Sequence, residues 1–196
     1  MSFLIELCRF LLVDWIKMRI GGIQMATNKT IAVVVTNDVE DVELTSPREA
    51  LVKAGYQVCL IGMRAGEIIQ GKKGTAFLID KGIDDVKPED FRALLIPGGF
   101  SPDQLRGDQR FVDFVKAFLE NHRPTFAICH GPQLFIQTGL ADQLELTAYK
   151  TVQPDLAYAG AKVSDQAVVN HNNLITSRNP DDLPQFNQAI VAALAD

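Results

Sequence analysis

Fully apolar runs alternate along this chain with segments of helical spacing. From Thr30 to Thr36 the run Ile31-Ala32-Val33-Val34-Val35 is apolar at every position, the pattern of a parallel strand covered on both faces. Tyr56–Ile61, Ala93–Ile96 and Thr125–Ile128 read as further strands. Arg110–Asn121 instead places Phe111, Phe114, Val115 and Phe118 on one face of a predicted helix. Pro47 marks the first turn of another helix, which runs to about Ala54 and stops at Gly55. A third follows Cys129-His130-Gly131-Pro132 as far as Thr138, with Gly139 as its stop. Between the second and third strands, Gly62, Gly66, Gly71 and Gly74 punctuate a loop or hairpin that returns extended over Thr75–Asp80. Shorter extended pieces are expected near Leu146–Tyr149, Lys162–Ser164, Ala167–Asn170 and Leu174–Ser177, before a closing helix over Leu183–Leu194. This alternation predicts an α/β fold with a mostly parallel sheet and helices on both faces.

In open sheets of this kind, ligands collect beyond the carboxyl ends of the strands. Three segments reach that edge: Asn37–Glu43, Pro97–Gln104 and Cys129–Pro132. Cys129 directly follows an apolar strand, so its sulfur is expected at a tight strand-to-helix elbow, near helix-end N–H groups that favour the thiolate. Most cysteines are inert small core residues. An elbow with Gly131 and Pro132, facing the glycine pair Gly98-Gly99, has little use in packing and favours a nucleophile. Glu40, in an acidic stretch with Asp38, Asp41 and Glu43, reads either as a solvated turn residue or as a desolvated acid that hydrogen-bonds the sulfur and shuttles a proton. Gly98 and Gly99 are candidate oxyanion-hole donors, although Pro-Gly-Gly is also a common turn. His130 is a candidate base, cation or substrate contact, while His122 and His171 read as surface residues and Cys59 as core.

Composition narrows the partners. The chain has 196 residues, 47% hydrophobic and 22% charged, which suits one globular domain. A net charge of −5 without a basic run gives no electrostatic footprint for nucleic acid. Three scattered cysteines without a CxxC pair suggest neither a disulfide framework nor a metal site, and fit a reducing cytoplasm. Residues 1–24 form an apolar stretch interrupted by Glu6, Arg9, Asp14 and Lys17, unlike a spanning helix or a signal peptide. Met25 reads as the natural start, with residues 25–196 as the domain and an over-extended start codon ahead of it.

Ala127-Ile128-Cys129-His130-Gly131-Pro132-Gln133 closely resembles the PfpI/ThiJ-type intracellular protease and deglycase family, within the class I glutamine amidotransferase-like superfamily. Glu40-Asp41-Val42-Glu43, Pro97-Gly98-Gly99 with Ser101-Pro102-Asp103, and Thr176–Leu183 look like family segments in family order. The resemblance implies a flavodoxin-like three-layer sandwich, a nucleophile at Cys129, a carboxyl partner at Glu40 and an oxyanion hole at Gly98, Gly99 and the elbow. It also implies no cofactor and a homo-oligomer, in which an acid from an adjoining subunit orients the histidine after the cysteine. The matching position is Asp103, one carbon shorter than the usual glutamate. The activities implied are attack on methylglyoxal, glyoxal or their early adducts on proteins or nucleotides, or alternatively peptide hydrolysis with Cys129, His130 and Asp103. A redox-sensing or holdase role without turnover is the third expectation.

Overall fold

The computed structural model describes residues 29–195. The expectations about residues 1–24 and Cys8 lie outside the described residues. In chain order the elements are β1 (Thr30–Val34), α1 (Asp41–Lys53), β2 (Gln57–Gly62), β3 (Ile68–Gln70), β4 (Ala76–Leu78), β5 (Lys81–Gly82) and β6 (Ala93–Ile96). They continue with α2 (Ser101–Leu105), α3 (Gln109–Glu120), β7 (Thr125–Ile128), α4 (Gln133–Gln137), β8 (Glu145–Leu146) and α5 (Gln153–Tyr158). The chain closes with β9 (Lys162–Val163), β10 (Val168–His171), β11 (Leu174–Ser177) and α6 (Leu183–Leu194).

Seven strands form the central sheet in the order β10-β11-β7-β6-β1-β2-β5. All pairings within it are parallel except that of β10 with β11. The all-apolar strands are buried on both faces, and alternation divides them between two cores. Ala32 and Val34 of β1 face the layer that holds Phe111, Val115 and Phe118 of α3. Ile31 and Val33 face the opposite layer, where Leu44 and Leu51 of α1 meet Phe186 and Ile190 of α6. The result is a three-layer α/β sandwich. Among the described residues, no helix is long and apolar enough to cross a membrane.

The chain turns in opposite directions from β1, toward β2 on one side and β6 on the other, so the loops after β1 and β6 part at a topological switch point. The loop after β7 opens one strand away. Short bonds lace the edge together: Glu40 N–H donates to Gly98 O at 3.2 Å, Phe100 N–H to Asp38 O at 2.8 Å, and Val39 and Gly99 form an antiparallel bridge. The glycine-punctuated segment is an antiparallel hairpin, β3 against β4. Its turn is clamped by Asp41, whose carboxylate accepts from Lys73 N at 2.8 Å and Thr75 N at 3.0 Å.

Helix α1 departs from the expectation. It starts at Asp41, six residues before Pro47, with Glu40 in the N-cap position, and Pro47 lies inside it. A proline at this depth removes the bond its N–H would have made to the Glu43 carbonyl and crowds that carbonyl with its ring, a cost the packing of the helix outweighs. Asp41 and Glu43 therefore belong to the first helical turn, where acidic side chains complement the helix dipole.

Candidate active site

Parallel strand β7 fixes the elbow. Its register aligns Ala127 with Ile96 of β6 and Ile128 with Ser177 of β11, and Cys129 N–H then donates to Ser177 O at 3.0 Å. At Cys129 the backbone turns sharply, with φ of 62°. That left-handed conformation is disfavoured for a residue with a β-carbon by about 1–2 kcal/mol. Helix α4 begins only at Gln133 and is five residues long, so the helix end is not what faces the sulfur. The donors are instead the backbone N–H groups of Gly99 and His130.

Glu43, rather than Glu40, is the carboxyl whose charge acts on the Cys129 thiol. Standing in the first turn of α1, it projects across the switch point, and its Oε2 accepts from Gly98 N–H at 3.0 Å. The other oxygen, Oε1, is buried without a fixed hydrogen-bond partner. Glu43 is fully buried. Burial, aided by the charge of Glu40, pushes its carboxyl up to about 7, against the opposing bonds from Cys129 and Gly98. Burial also pushes the Cys129 thiol up, and the Glu43 carboxylate adds to this; only the Gly99 and His130 N–H groups favour the thiolate. The thiolate-favouring elbow expected from sequence is thus opposed by desolvation. Two buried anions side by side are costly, so near neutrality Cys129 and Glu43 keep at least one proton on the pair.

Glu40 is nearly buried at the wall of the same cleft, where Lys73 Nζ lies 3.2 Å from its Oε1 and Lys72 Nζ 3.6 Å from its Oε2. The one-turn offset explains the exchange. As the N-cap, Glu40 points toward the hairpin turn that carries the two lysines, while Glu43 at the third helical position points inward.

The glycine pair divides its work. Gly98 N–H is taken by Glu43, and its missing side chain is required, since a β-carbon there would lie 2.7 Å from Cys129 Cβ and 2.9 Å from His130 N. Gly99, at φ of 79°, presents its N–H toward the sulfur. Of the two, Gly99, together with His130, is the one whose N–H favours negative charge on the sulfur.

His130 reaches back to Cys129 despite adjacency in sequence, with Nδ1 3.2 Å from Sγ. Burial lowers its pKa, Lys72 lowers it further, and Asp103 opposes both. The imidazole is therefore neutral near pH 7, able to accept a proton. Asp103 acts on it through charge only: its carboxylate pairs with Arg106 at 2.9 Å. Among the described residues no carboxylate bonds the His130 ring to complete a Cys–His–Asp triad. Cys59, in β2, is half-buried, and burial raises its thiol pKa.

An open cleft of about 680 Å³ lies over Cys129, with Phe100, Tyr149 and Pro180 as its apolar walls and Glu40 and Lys72 among its charged ones. Tyr149 was not singled out by sequence reasoning. It lies 20 positions beyond Cys129 in a segment that resembles a plain strand, and only the fold returns it to the site.

The sequence pattern that defines the DJ-1/PfpI family matches residues 29–193. An uncharacterized protein of Staphylococcus saprophyticus is 52% identical over 170 residues, covering 86% of this chain and 99% of its own length. The Bacillus subtilis protein named "Putative cysteine protease YraA" is 52% identical over 161 residues, covering 82% of this chain and 95% of that one. Among solved structures, a two-domain Anabaena variabilis protein with DJ-1/ThiJ/PfpI-like and ferritin-like domains superimposes with a TM-score of 0.82 at 36% identity. That match covers 85% of this chain and 48% of the longer one. Drosophila melanogaster DJ-1beta superimposes with a TM-score of 0.79 at 26% identity, covering 85% and 90% of the two chains. With a match over nearly all the described residues, and half its positions shared with full-length relatives, this chain belongs to the DJ-1/PfpI family.

Proposed function

We propose that this protein is a cysteine-nucleophile enzyme acting on small carbonyl electrophiles, methylglyoxal or glyoxal and their early adducts on proteins or nucleotides. The observation that carries this reading is Glu43: a buried carboxyl packed with Cys129 around Gly98, with its pKa raised to about 7, gives and takes a proton with equal ease near neutrality. A carbonyl substrate needs that exchange repeatedly. The Cys129 thiolate adds to the aldehyde carbon, forming the C–S bond. The oxygen that becomes negative is held by the N–H groups of Gly99 and His130 and takes the Glu43 proton. The Glu43 carboxylate then removes the hydrogen from that carbon, and its electron pair flows toward the neighbouring ketone, whose oxygen takes the proton of the adjacent hydroxyl to leave an enediolate. Return of the proton to the former ketone carbon leaves a thioester, which water hydrolyses to lactate and free Cys129. In an early adduct, a hemiaminal, the C–S bond forms at the carbon that carries the nitrogen while the C–N bond breaks, the amine leaves with the Glu43 proton, and the same hemithioacetal results.

Peptide hydrolysis is the second reading, favoured by the 3.2 Å contact between Sγ and His130 Nδ1 and by the name given to the Bacillus relative. It requires an acid to complete the triad, and Asp103 of a second subunit in a homo-oligomer is the candidate.

The discriminating measurement is turnover of methylglyoxal, a methylglyoxal-treated peptide and the untreated peptide, with Cys129→Ala as control. Carbonyl turnover that vanishes in Cys129→Ala is the expected result. Cleavage of the untreated peptide without any carbonyl turnover would replace the first reading with the second.

A further inference from the structure

We propose that Tyr149 is the positioning residue for His130, holding the imidazole with Nδ1 toward Cys129 through ring stacking rather than through a carboxylate. The inference rests on the cysteine-nucleophile reading above, and names the part that keeps the nucleophile's neighbour in place.

Successive residues do not ordinarily face each other, and a single contact to sulfur is a weak tether for a ring on two rotatable bonds. The usual device is a carboxylate on the far nitrogen. Here the nearest candidate, Asp103, is engaged by Arg106 at 2.9 Å. Among the described residues, the sulfur is the one side-chain hydrogen-bond partner recorded for the His130 ring. What lies against the ring is Tyr149, with centroids 5.1 Å apart and planes 25° from parallel.

Tyr149 is itself fixed from both ends. Its N–H donates to the Cys129 carbonyl at 2.9 Å, and its own carbonyl accepts from Val152 N at 2.8 Å and Gln153 N at 3.1 Å, tying it to the start of α5. Its side chain packs against both hydrophobic cores. The stacking surface is thus anchored to the nucleophile's own backbone, and the distance between ring and sulfur is set within one rigid unit.

The test is the rate at which iodoacetamide alkylates Cys129 between pH 5 and 9, which does not depend on any carbonyl substrate. Tyr149→Phe keeps the ring and is expected to match wild type. Tyr149→Leu removes it, and the rate at pH 7 is expected to fall roughly three- to tenfold, the range for a stacked aromatic pair, with the profile displaced to higher pH. A leucine variant identical to wild type in rate and profile would overturn the proposal. So would a phenylalanine variant as slow as leucine, since the hydroxyl would then be the active feature. If Tyr149→Leu does not fold, the wild-type His130 ring-proton resonances decide: stacking predicts them upfield of free histidine, and unshifted resonances refute it. Wild-type protein that shows these effects yet turns over no carbonyl would sink the proposed function and leave the positioning role standing.

Discussion

Glu43→Gln is expected to lower carbonyl turnover about 10²–10⁴-fold, the usual contribution of a positioned acid–base group. Glutamine is the same size, and its amide oxygen can still accept from Gly98 N–H, so the elbow and the neighbouring loop stay in place. What it cannot do is release a proton to the substrate oxygen and reclaim one from carbon. Glu40→Gln is expected to cost less than about tenfold, because the pairs it makes are with largely exposed lysines and such pairs are worth at most about 1 kcal/mol. The comparison calls for steady-state kinetics with methylglyoxal for both variants. A larger loss from Glu40→Gln would return the proton-carrying role to the residue that the family resemblance first suggested.

The same buried carboxyl should set the pH dependence of stability. The folded protein holds the Glu43 proton up to about 7, whereas an ordinary glutamate releases it near 4.5. Between those values the native state binds a proton that the unfolded chain has lost, so stability is fully present at the acid end and falls as the pH rises. The interval corresponds to about 3 kcal/mol. Cys129, whose pKa is also raised, extends the decline in the alkaline range. Glu43→Gln carries no titrating group at this position and should escape the first part of the loss. Urea denaturation of both proteins across pH 4.5 to 7.5 should therefore show the variant gaining on wild type by about that amount as the pH rises. Parallel curves would mean that Glu43 titrates normally.

Much of the fold was legible because strands buried on both faces must be apolar throughout. Ala93–Ile96, Thr125–Ile128 and Leu174–Ser177 were read residue for residue, and so was α6, whose apolar positions repeat around one face. The elbow was legible for a related reason, since a cysteine next to Gly131 and Pro132 at the end of such a strand has few packing roles. Where reading failed, local preference misled it. Proline is commonest in the first helical turn, so Pro47 drew the start of α1 six residues too late and left Glu43 in a loop. The run of acidic residues from Glu40 to Glu43 was the available counter-signal, since negative side chains gather at helix beginnings. Helices α2 and α5 span five and six residues, too few to display a period. The stacking of Tyr149 on His130 has no local signature at all, because it depends on how a distant segment returns to the sheet edge.

The left-handed backbone at Cys129 has a consequence for how this chain tolerates change over generations. Glycine is the residue that adopts that conformation without penalty, so Cys129→Gly would remove the reactive thiol and at the same time relieve about 1 kcal/mol of backbone strain. Against that relief stand the greater freedom glycine has in the unfolded chain and the loss of a buried side chain, so the cysteine is held at this elbow by a near balance of backbone and packing.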